Sequence, residues 1–356
     1  VIRPIKLARV CASIGILALA LPGAANALES AQAKSAATTK QGTTTRKTTY
    51  SASSSSARKA RLARARTAVR ARERARLNAV RRAQEAMTPR FKTDASGALV
   101  PDIRAAAAII FDPQSGQVLW GENAQDKRSI ASITKVMTAV VFLEDQPDLS
   151  QTITVERGDV YAASTTYLRR NDRLTLDEVL HLTLIASDNA AARILARLSH
   201  GGTASFVERM NTKAAELGLE STSFTDPSGL KAENVSSAYD LSKLITYAAT
   251  DEKLAPTIAP IMRTAEYKVT TSRRMISIHN TNRLVMDGDV DIMGGKTGFI
   301  SKAGHCLATL IRMPQTNQQV AVVVLGANSN LGRFWETRHL FNWLSQKTAA
   351  LFKEQQ

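Results

Sequence analysis

From about Pro101 onward the chain alternates between two kinds of hydrophobic pattern. Residues 105–111 and 117–121 are apolar runs of strand length, and Asp112-Pro113-Gln114-Ser115-Gly116 between them is a cluster of turn formers, which predicts a β-hairpin. Helical spacing follows. It covers residues 132–144, then 176–185 led by the capping box Thr175-x-x-Glu178, then 189–198. A further helix is expected over 206–217, with Ser205-x-x-Glu208 at its start and Gly218 at its end, and another over 239–249. Strand patterns return at 266–270, 275–279, 292–299, 304–313 and 319–327, before a last helix from about Arg333 to Phe352. Strands first, helices in the middle and strands last predict an α/β fold. Its antiparallel sheet would bring the two ends of this region together and carry an inserted all-helical region. No repeat of fixed period is visible.

Upstream of residue 93 the pattern cannot build a core. Residues 30–57 are rich in Ser, Thr, Ala and Lys, with too little apolar surface to offset the entropy of ordering, so they read as a flexible tether. Residues 58–88 change to Ala and Arg, strong helix formers, with few larger apolar residues beyond Leu62, Val69, Leu77 and Val80. They read as a solvated, partly helical spacer, or as an electrostatic clamp for the anions of a cell wall or membrane surface. The first 27 residues carry Arg3, Lys6 and Arg9, an apolar stretch over 10–21, then Pro22-Gly23 and Ala25-Asn26-Ala27. This is the pattern of an export signal cleaved after Ala27, which predicts a periplasmic protein; the alternative is an uncleaved anchor, for which the apolar stretch is short. Ala8-Arg9-Val10 before Cys11 does not match a lipid-attachment site. The expected organisation is therefore residues 1–27 signal, 28–92 basic extension and 93–356 folded domain.

Charge sharpens this division. The 356 residues carry 47 Lys and Arg against 31 Asp and Glu, a net +16 that would suggest a nucleic-acid binder if it were spread evenly. Residues 28–92 hold 17 of those basic residues and 3 acidic ones, and residues 93–356 hold 27 against 28, so the body is nearly neutral. No aromatic residue interleaves the basic run over 58–88, so no nucleic-acid partner is expected. The two cysteines, Cys11 and Cys306, exclude a disulfide scaffold, and Cys306 reads as a small buried hydrophobe. His181, His200, His279, His305 and His339 show no metal-ligand spacing, and no metal or other cofactor is expected.

Three short motifs carry chemistry. In Ser132-Ile133-Thr134-Lys135, helical geometry puts the Lys135 amine one turn from the Ser132 hydroxyl. A serine needs such a partner to take its proton, and a lysine among apolar neighbours near a second cation can be neutral enough to do so. Ser187-Asp188-Asn189 lies between two helices, where Ser187 could relay a proton and Asn189 could pair with a substrate amide; an ordinary N-cap is the simpler reading. Lys296-Thr297-Gly298, after Gly294-Gly295, puts a cation, a hydroxyl and a residue without Cβ on one strand. Each motif alone is commonplace.

In this order the three form the signature set of penicillin-binding proteins and class A β-lactamases. Residues 105–344 resemble the low-molecular-mass D-alanyl-D-alanine peptidases, most closely the penicillin-binding protein 7, or D-alanyl-D-alanine endopeptidase, type. Asp226-Pro227-Ser228-Gly229-Leu230, Asn280-Thr281-Asn282-Arg283-Leu284 and Phe299 after Lys296-Thr297-Gly298 support the resemblance. It implies a β-lactamase/DD-peptidase-like fold, peptidoglycan peptide stems as substrate and β-lactams as covalent inhibitors. It also implies that Ser132 attacks, Lys135 accepts its proton, and Ser187 with Lys296 passes it to the leaving amine. By the same resemblance, Lys296 and Thr297 hold an anionic group of the substrate, and the backbone N–H groups of Ser132 and Phe299 form the oxyanion hole. A β-lactamase would need a deacylating glutamate after Ser-Asp-Asn, and residues 219–230 contain no Glu-x-x-Leu-Asn pattern. A catalytically silent wall-binding protein would have no need of the nucleophile with its base. About 58 residues follow Gly298, enough to finish the sheet and one helix, so an endopeptidase is expected rather than a carboxypeptidase with a further domain.

Overall fold

The computed structural model describes residues 53–354; the expected signal, 1–27, and most of the expected tether, 30–57, lie outside the described residues. The chain divides into two units, Val1–Ala68 and Val69–Gln356. The boundary falls within helix α1 (Ser53–Met87), one continuous helix of 35 residues that begins inside the segment read as a tether. Its Leu62, Val69, Leu77 and Val80 are exposed, so alanine and arginine propensity rather than burial sustains it. At its C-terminal end the Glu85 carbonyl accepts a hydrogen bond of 2.5 Å from Arg104 Nη2, satisfying one of the orphan acceptors of a helix end.

The second unit starts earlier than residue 93. Strand Phe91–Thr93 pairs antiparallel with Leu99–Pro101, and the Phe91 ring meets His339 edge-on at 5.0 Å. Beyond it lies the five-stranded antiparallel sheet, whose strands are β1 (Ala107–Asp112), β2 (Gln117–Glu122), β3 (Ile292–Ile300), β4 (Gly304–Arg312) and β5 (Gln319–Ala327). Their spatial order is β3-β4-β5-β1-β2, so the last strand pairs with the first and the two ends of the domain close on each other as expected. The β1–β2 connection is the predicted hairpin, with Asp112 opposite Gln117.

Both faces of the sheet are covered, which is why β1, β4 and β5 read as continuous apolar runs rather than strict alternation. Ala107, Ile109, Val323 and Leu325 pack into the larger core with the inserted helices. Those helices are α2 (Thr134–Glu144), α3 (Leu176–Leu184), α4 (Asn189–Leu198), α5 (Gly202–Glu216), α6 (Ala238–Thr250) and α7 (Ala255–Arg263). Ala108, Ile110, Val322 and Val324 point the other way, onto Phe334, Leu340, Phe341 and Leu344 of the C-terminal helix α8 (Asn330–Glu354).

Three local expectations change. The helix predicted from Ser132 opens as a 3-10 turn, Ala131–Ile133, with the α-helix proper from Thr134. Helix α5 starts at Gly202, after a left-handed Gly201 with φ +77°, and Ser205-x-x-Glu208 falls inside it rather than capping it. Helix α7 forms where the sequence reading assigns no element; in a helix of 9 residues Pro256 sits in the permissive first turn, and Pro260 lies inside the helix. Residues Glu266–Thr270 and Met275–His279 form a separate two-stranded ribbon beside the main sheet.

Candidate active site

The site assembles where the start of α2, the turn before α4 and strand β3 converge. Ala131, just ahead of Ser132, has φ +49°, a conformation that costs a residue with Cβ about 1–2 kcal/mol and is held here by its surroundings. Those surroundings are two glycines. A Cβ on Gly229 would lie 2.0 Å from the Ala131 carbonyl oxygen, and a Cβ on Gly298 would lie 2.6 Å from the Ile130 carbonyl oxygen and 3.2 Å from the Ser132 nitrogen. The Lys-Thr-Gly glycine thus lets β3 press against the turn that presents the serine.

Lys135 is fully buried, and its Nζ has three neighbours: Ser132 Oγ at 2.9 Å, Asn189 Oδ1 at 2.7 Å and the Ser228 carbonyl at 2.6 Å. Burial pulls this amine down to about 7, against the opposing pull of the Asp188 and Asp226 carboxylates. Two of its three neighbours are carbonyls that can only accept. A neutral amine gives its two hydrogens to them and turns its lone pair to the serine hydroxyl, which then donates. This is the arrangement a general base needs.

Asn189, expected to bind substrate, is 4% exposed, and its amide is committed inside the protein: Oδ1 accepts from Lys135 and Nδ2 donates to the Ala163 carbonyl at 2.8 Å. These bonds orient the lysine, and one edge of Asn189 lines the cleft where a substrate amide was expected to meet it. Asp188 supplies the N-cap of α4, accepting from the Ala191 N–H at 2.9 Å, so the motif both starts a helix and presents its flanking residues. Ser187, held at φ +60°, accepts from Lys296 Nζ at 2.8 Å. Lys296 is buried too, and burial first, then the charges of Lys135 and Arg333, drive its pKa well below the ordinary lysine value. Thr297 Oγ1 donates to Thr281 Oγ1 at 2.7 Å.

These groups line a cleft of about 540 Å³ that also takes in Ser164, Thr165, Leu230, Phe299 and Arg333. Ser132, Ser187, Asn189, Thr297, Gly298 and Phe299 all meet there, while Lys135 and Lys296 stand behind their serines. Phe299 is half exposed and stacks on His305 at 4.3 Å. Sequence reasoning missed Arg333, which donates to the carbonyls of Gly298 at 3.0 Å and Cys306 at 3.2 Å; no local motif marks it. It also missed what Asp226 does. Burial works against ionisation of this carboxylate, but hydrogen bonds from Ser228, Lys231 and Asn234 outweigh burial and hold it below the usual carboxylate range. By gathering the N–H groups of Ser228 at 2.7 Å and Gly229 at 2.9 Å, it aims the Ser228 carbonyl at Lys135. The signal was present, since Asp226-Pro227-Ser228-Gly229-Leu230 supported the resemblance without an assigned role.

A serine and a lysine at hydrogen-bond distance behind an open cleft, with a second serine and lysine opposite, define a serine hydrolase of the penicillin-binding fold. The chain belongs to peptidase family S11, D-alanyl-D-alanine carboxypeptidase, whose pattern matches residues 94–329. It is 34% identical to the D-alanyl-D-alanine endopeptidase of Escherichia coli over 254 residues, covering 70% of this chain and 80% of that protein. It is 30% identical to the D-alanyl-D-alanine carboxypeptidase DacF of Bacillus subtilis, over 71% of this chain and 65% of that one. Among solved structures, the Streptomyces K15 DD-transpeptidase superposes with a TM-score of 0.63 at 27% identity, covering 68% of this chain and 97% of that one. The D-alanyl-D-alanine peptidase resemblance and the fold expected from it are thereby established.

Proposed function

We propose that the protein is an exported endopeptidase that cleaves D-alanyl crosslinks between peptidoglycan stems through an acyl-enzyme on Ser132, and that β-lactams block it by forming the same ester. The observation that carries this reading is the buried Lys135 Nζ, 2.9 Å from Ser132 Oγ, with carbonyl acceptors as its two other neighbours. Ser132 Oγ attacks the D-alanyl carbonyl and its proton passes to Lys135. The tetrahedral oxyanion is received by the N–H groups of Ser132 and Phe299, where each donor is worth about 3 kcal/mol of barrier. Collapse expels the amine of the second stem, protonated through Ser187, whose hydroxyl is held by Lys296. Water, activated by the same Lys135, then hydrolyses the ester. Arg333 and Thr297 supply positive charge and a hydroxyl for a substrate carboxylate inside the cleft.

Preference for a crosslink over a terminal D-Ala is supported by similarity. Three endopeptidases match at 31–34% identity over 78–80% of their length, and the carboxypeptidases at 28–31% over 62–65%. For α1, whose exposed arginines point in every direction around the helix, we propose attachment to the anionic wall or membrane surface. The deciding experiment is digestion of purified crosslinked peptidoglycan with the mature protein, products identified by mass. Monomers arising from dimers support the endopeptidase; loss of terminal D-Ala with dimers intact refutes it in favour of a carboxypeptidase.

A further inference from the structure

The body of the protein is nearly neutral, yet arginines gather at one rim of the cleft. The loop that carries the cleft-lining residues Ser164 and Thr165 continues into Arg169, Arg170 and Arg173. The tip of the two-stranded ribbon brings Arg273 and Arg274 to the same place: Ser272 N–H donates to the Arg173 carbonyl at 2.8 Å, and Arg274 Nη2 donates to the Tyr167 carbonyl at 2.6 Å. Asp172, fully buried, pairs with Arg274 at 3.3 Å. Arg169, Arg170, Arg173 and Arg273 are exposed and make no ion pair with a described residue. Four uncompensated cations therefore stand together, and the chain from Thr165 to Arg169 spans at most about 14 Å.

The rim is also stiff. Arg193 holds the loop from beneath, donating to the carbonyls of Tyr161 at 2.7 Å and Ala162 at 3.4 Å. The Tyr167 N–H is fixed on Asp188 at 2.6 Å, and the Arg169 N–H on Asp172 at 2.9 Å. Ala162, Ser164 and Asn171 keep left-handed φ angles of +50°, +62° and +68°. A rigid loop bearing unpaired like charges beside a cleft focuses field toward anions entering it. Lysines would hold a counterion loosely, whereas guanidinium groups pair with carboxylates in a forked geometry.

We propose that Arg169, Arg170, Arg173 and Arg273 form a subsite for the carboxylates of the acidic peptide arm that leaves the cleft past Ser164 and Thr165. The proposal rests on the peptidase reading, since it needs a peptide whose D-alanyl end lies in the cleft. It extends recognition beyond the reacting end, to stems that carry free carboxylates along their length.

The test measures binding without turnover. In a Ser132→Ala background, the affinity for a fluorescent stem peptide with free carboxylates is compared with that for the same peptide amidated, with and without Arg169→Gln, Arg170→Gln and Arg273→Gln together. An exposed arginine–carboxylate pair is worth about a factor of two, so the triple change should weaken the free-carboxylate peptide about tenfold at low salt, less at high salt, and leave the amidated peptide unmoved. Thermal unfolding checks that the triple variant folds. Equal affinity of both peptides for the parent protein, or equal losses on both in the triple variant, overturns the subsite. Failure of the peptidase reading appears separately, as dimers left uncut and terminal D-Ala retained in the digestion of peptidoglycan by the wild type.

Discussion

Replacing Lys135 by methionine should abolish acylation while changing the pH dependence of stability in a defined direction. The side chain is fully buried, and burial brings its pKa from 10.5 to about 7. In the unfolded chain the lysine keeps its proton to about pH 10.5, whereas in the fold it gives it up near 7. Between those values the unfolded state binds more protons, so stability rises with pH across the window and is lowest below pH 7. At 1.36 kcal/mol per unit, the full difference is about 5 kcal/mol, of which about 2 kcal/mol appears between pH 7 and pH 9. Methionine has no proton to lose, so the variant should lack this gain. Lys296 acts in the same sense, because Lys135 is one of the charges depressing it, and removing that charge lets Lys296 stay protonated to higher pH.

The assay is urea unfolding of both proteins at pH 6, 7, 8 and 9, with the difference in stability plotted against pH. Taking the difference cancels groups that titrate alike in both. Below pH 7 the loss of the hydrogen bonds to Asn189 and Ser228 costs the variant about 1 kcal/mol each, against relief of a buried ammonium. The variant is therefore expected to match or exceed the wild type at pH 6 and to fall behind it by pH 9. A difference that stays flat from pH 6 to pH 9 would show that Lys135 keeps its proton in the fold, and the general-base argument would fail with it.

Other outcomes follow from the same geometry. Ser132→Ala should remove both penicillin labelling and peptide cleavage with the fold intact, and a covalent adduct by intact mass in this variant would refute the nucleophile. The rate of wild-type acylation by a β-lactam should climb as pH passes about 7, following deprotonation of Lys135, and stopped-flow rates that fall over the same range would contradict it. Gly298→Ala forces a Cβ to 2.6 Å from the Ile130 carbonyl; the expected cost is about 1–3 kcal/mol of stability and a far larger fractional loss of acylation, read by thermal unfolding and penicillin labelling. Deleting residues 30–90 should leave acylation nearly unchanged but weaken retention on wall sacculi at low salt, and equal retention across a salt series would end the attachment role of α1.

The parts of this molecule that were legible in its sequence are those whose physics is local. The Asp112–Gly116 turn, the Thr175–Glu178 capping box and the apolar strands β1, β4 and β5 each declare themselves within a few residues, because hydrogen bonds or a covered sheet face fix them there. Ser132 and Lys135 are legible for the same reason, being one turn apart. What was hidden is what the fold brings from afar. The third neighbour of Lys135 is a backbone carbonyl 93 positions away, which has no side-chain signature, and it is aimed by Asp226 through a turn that only Gly229 can follow. Asn189 adds a part that residue type did not show: its amide, expected to meet substrate and lining the cleft, also turns Oδ1 inward to Lys135, since a buried amine with too few acceptors is costly. The arginine rim follows this rule at longer range. Arg169 and Arg273 lie about a hundred residues apart and look like unrelated surface charges until the ribbon folds back on the loop. Residue type thus told which chemistry the chain can perform, while the burial of Lys135 and the crowding at Ala131 decide how that chemistry is tuned.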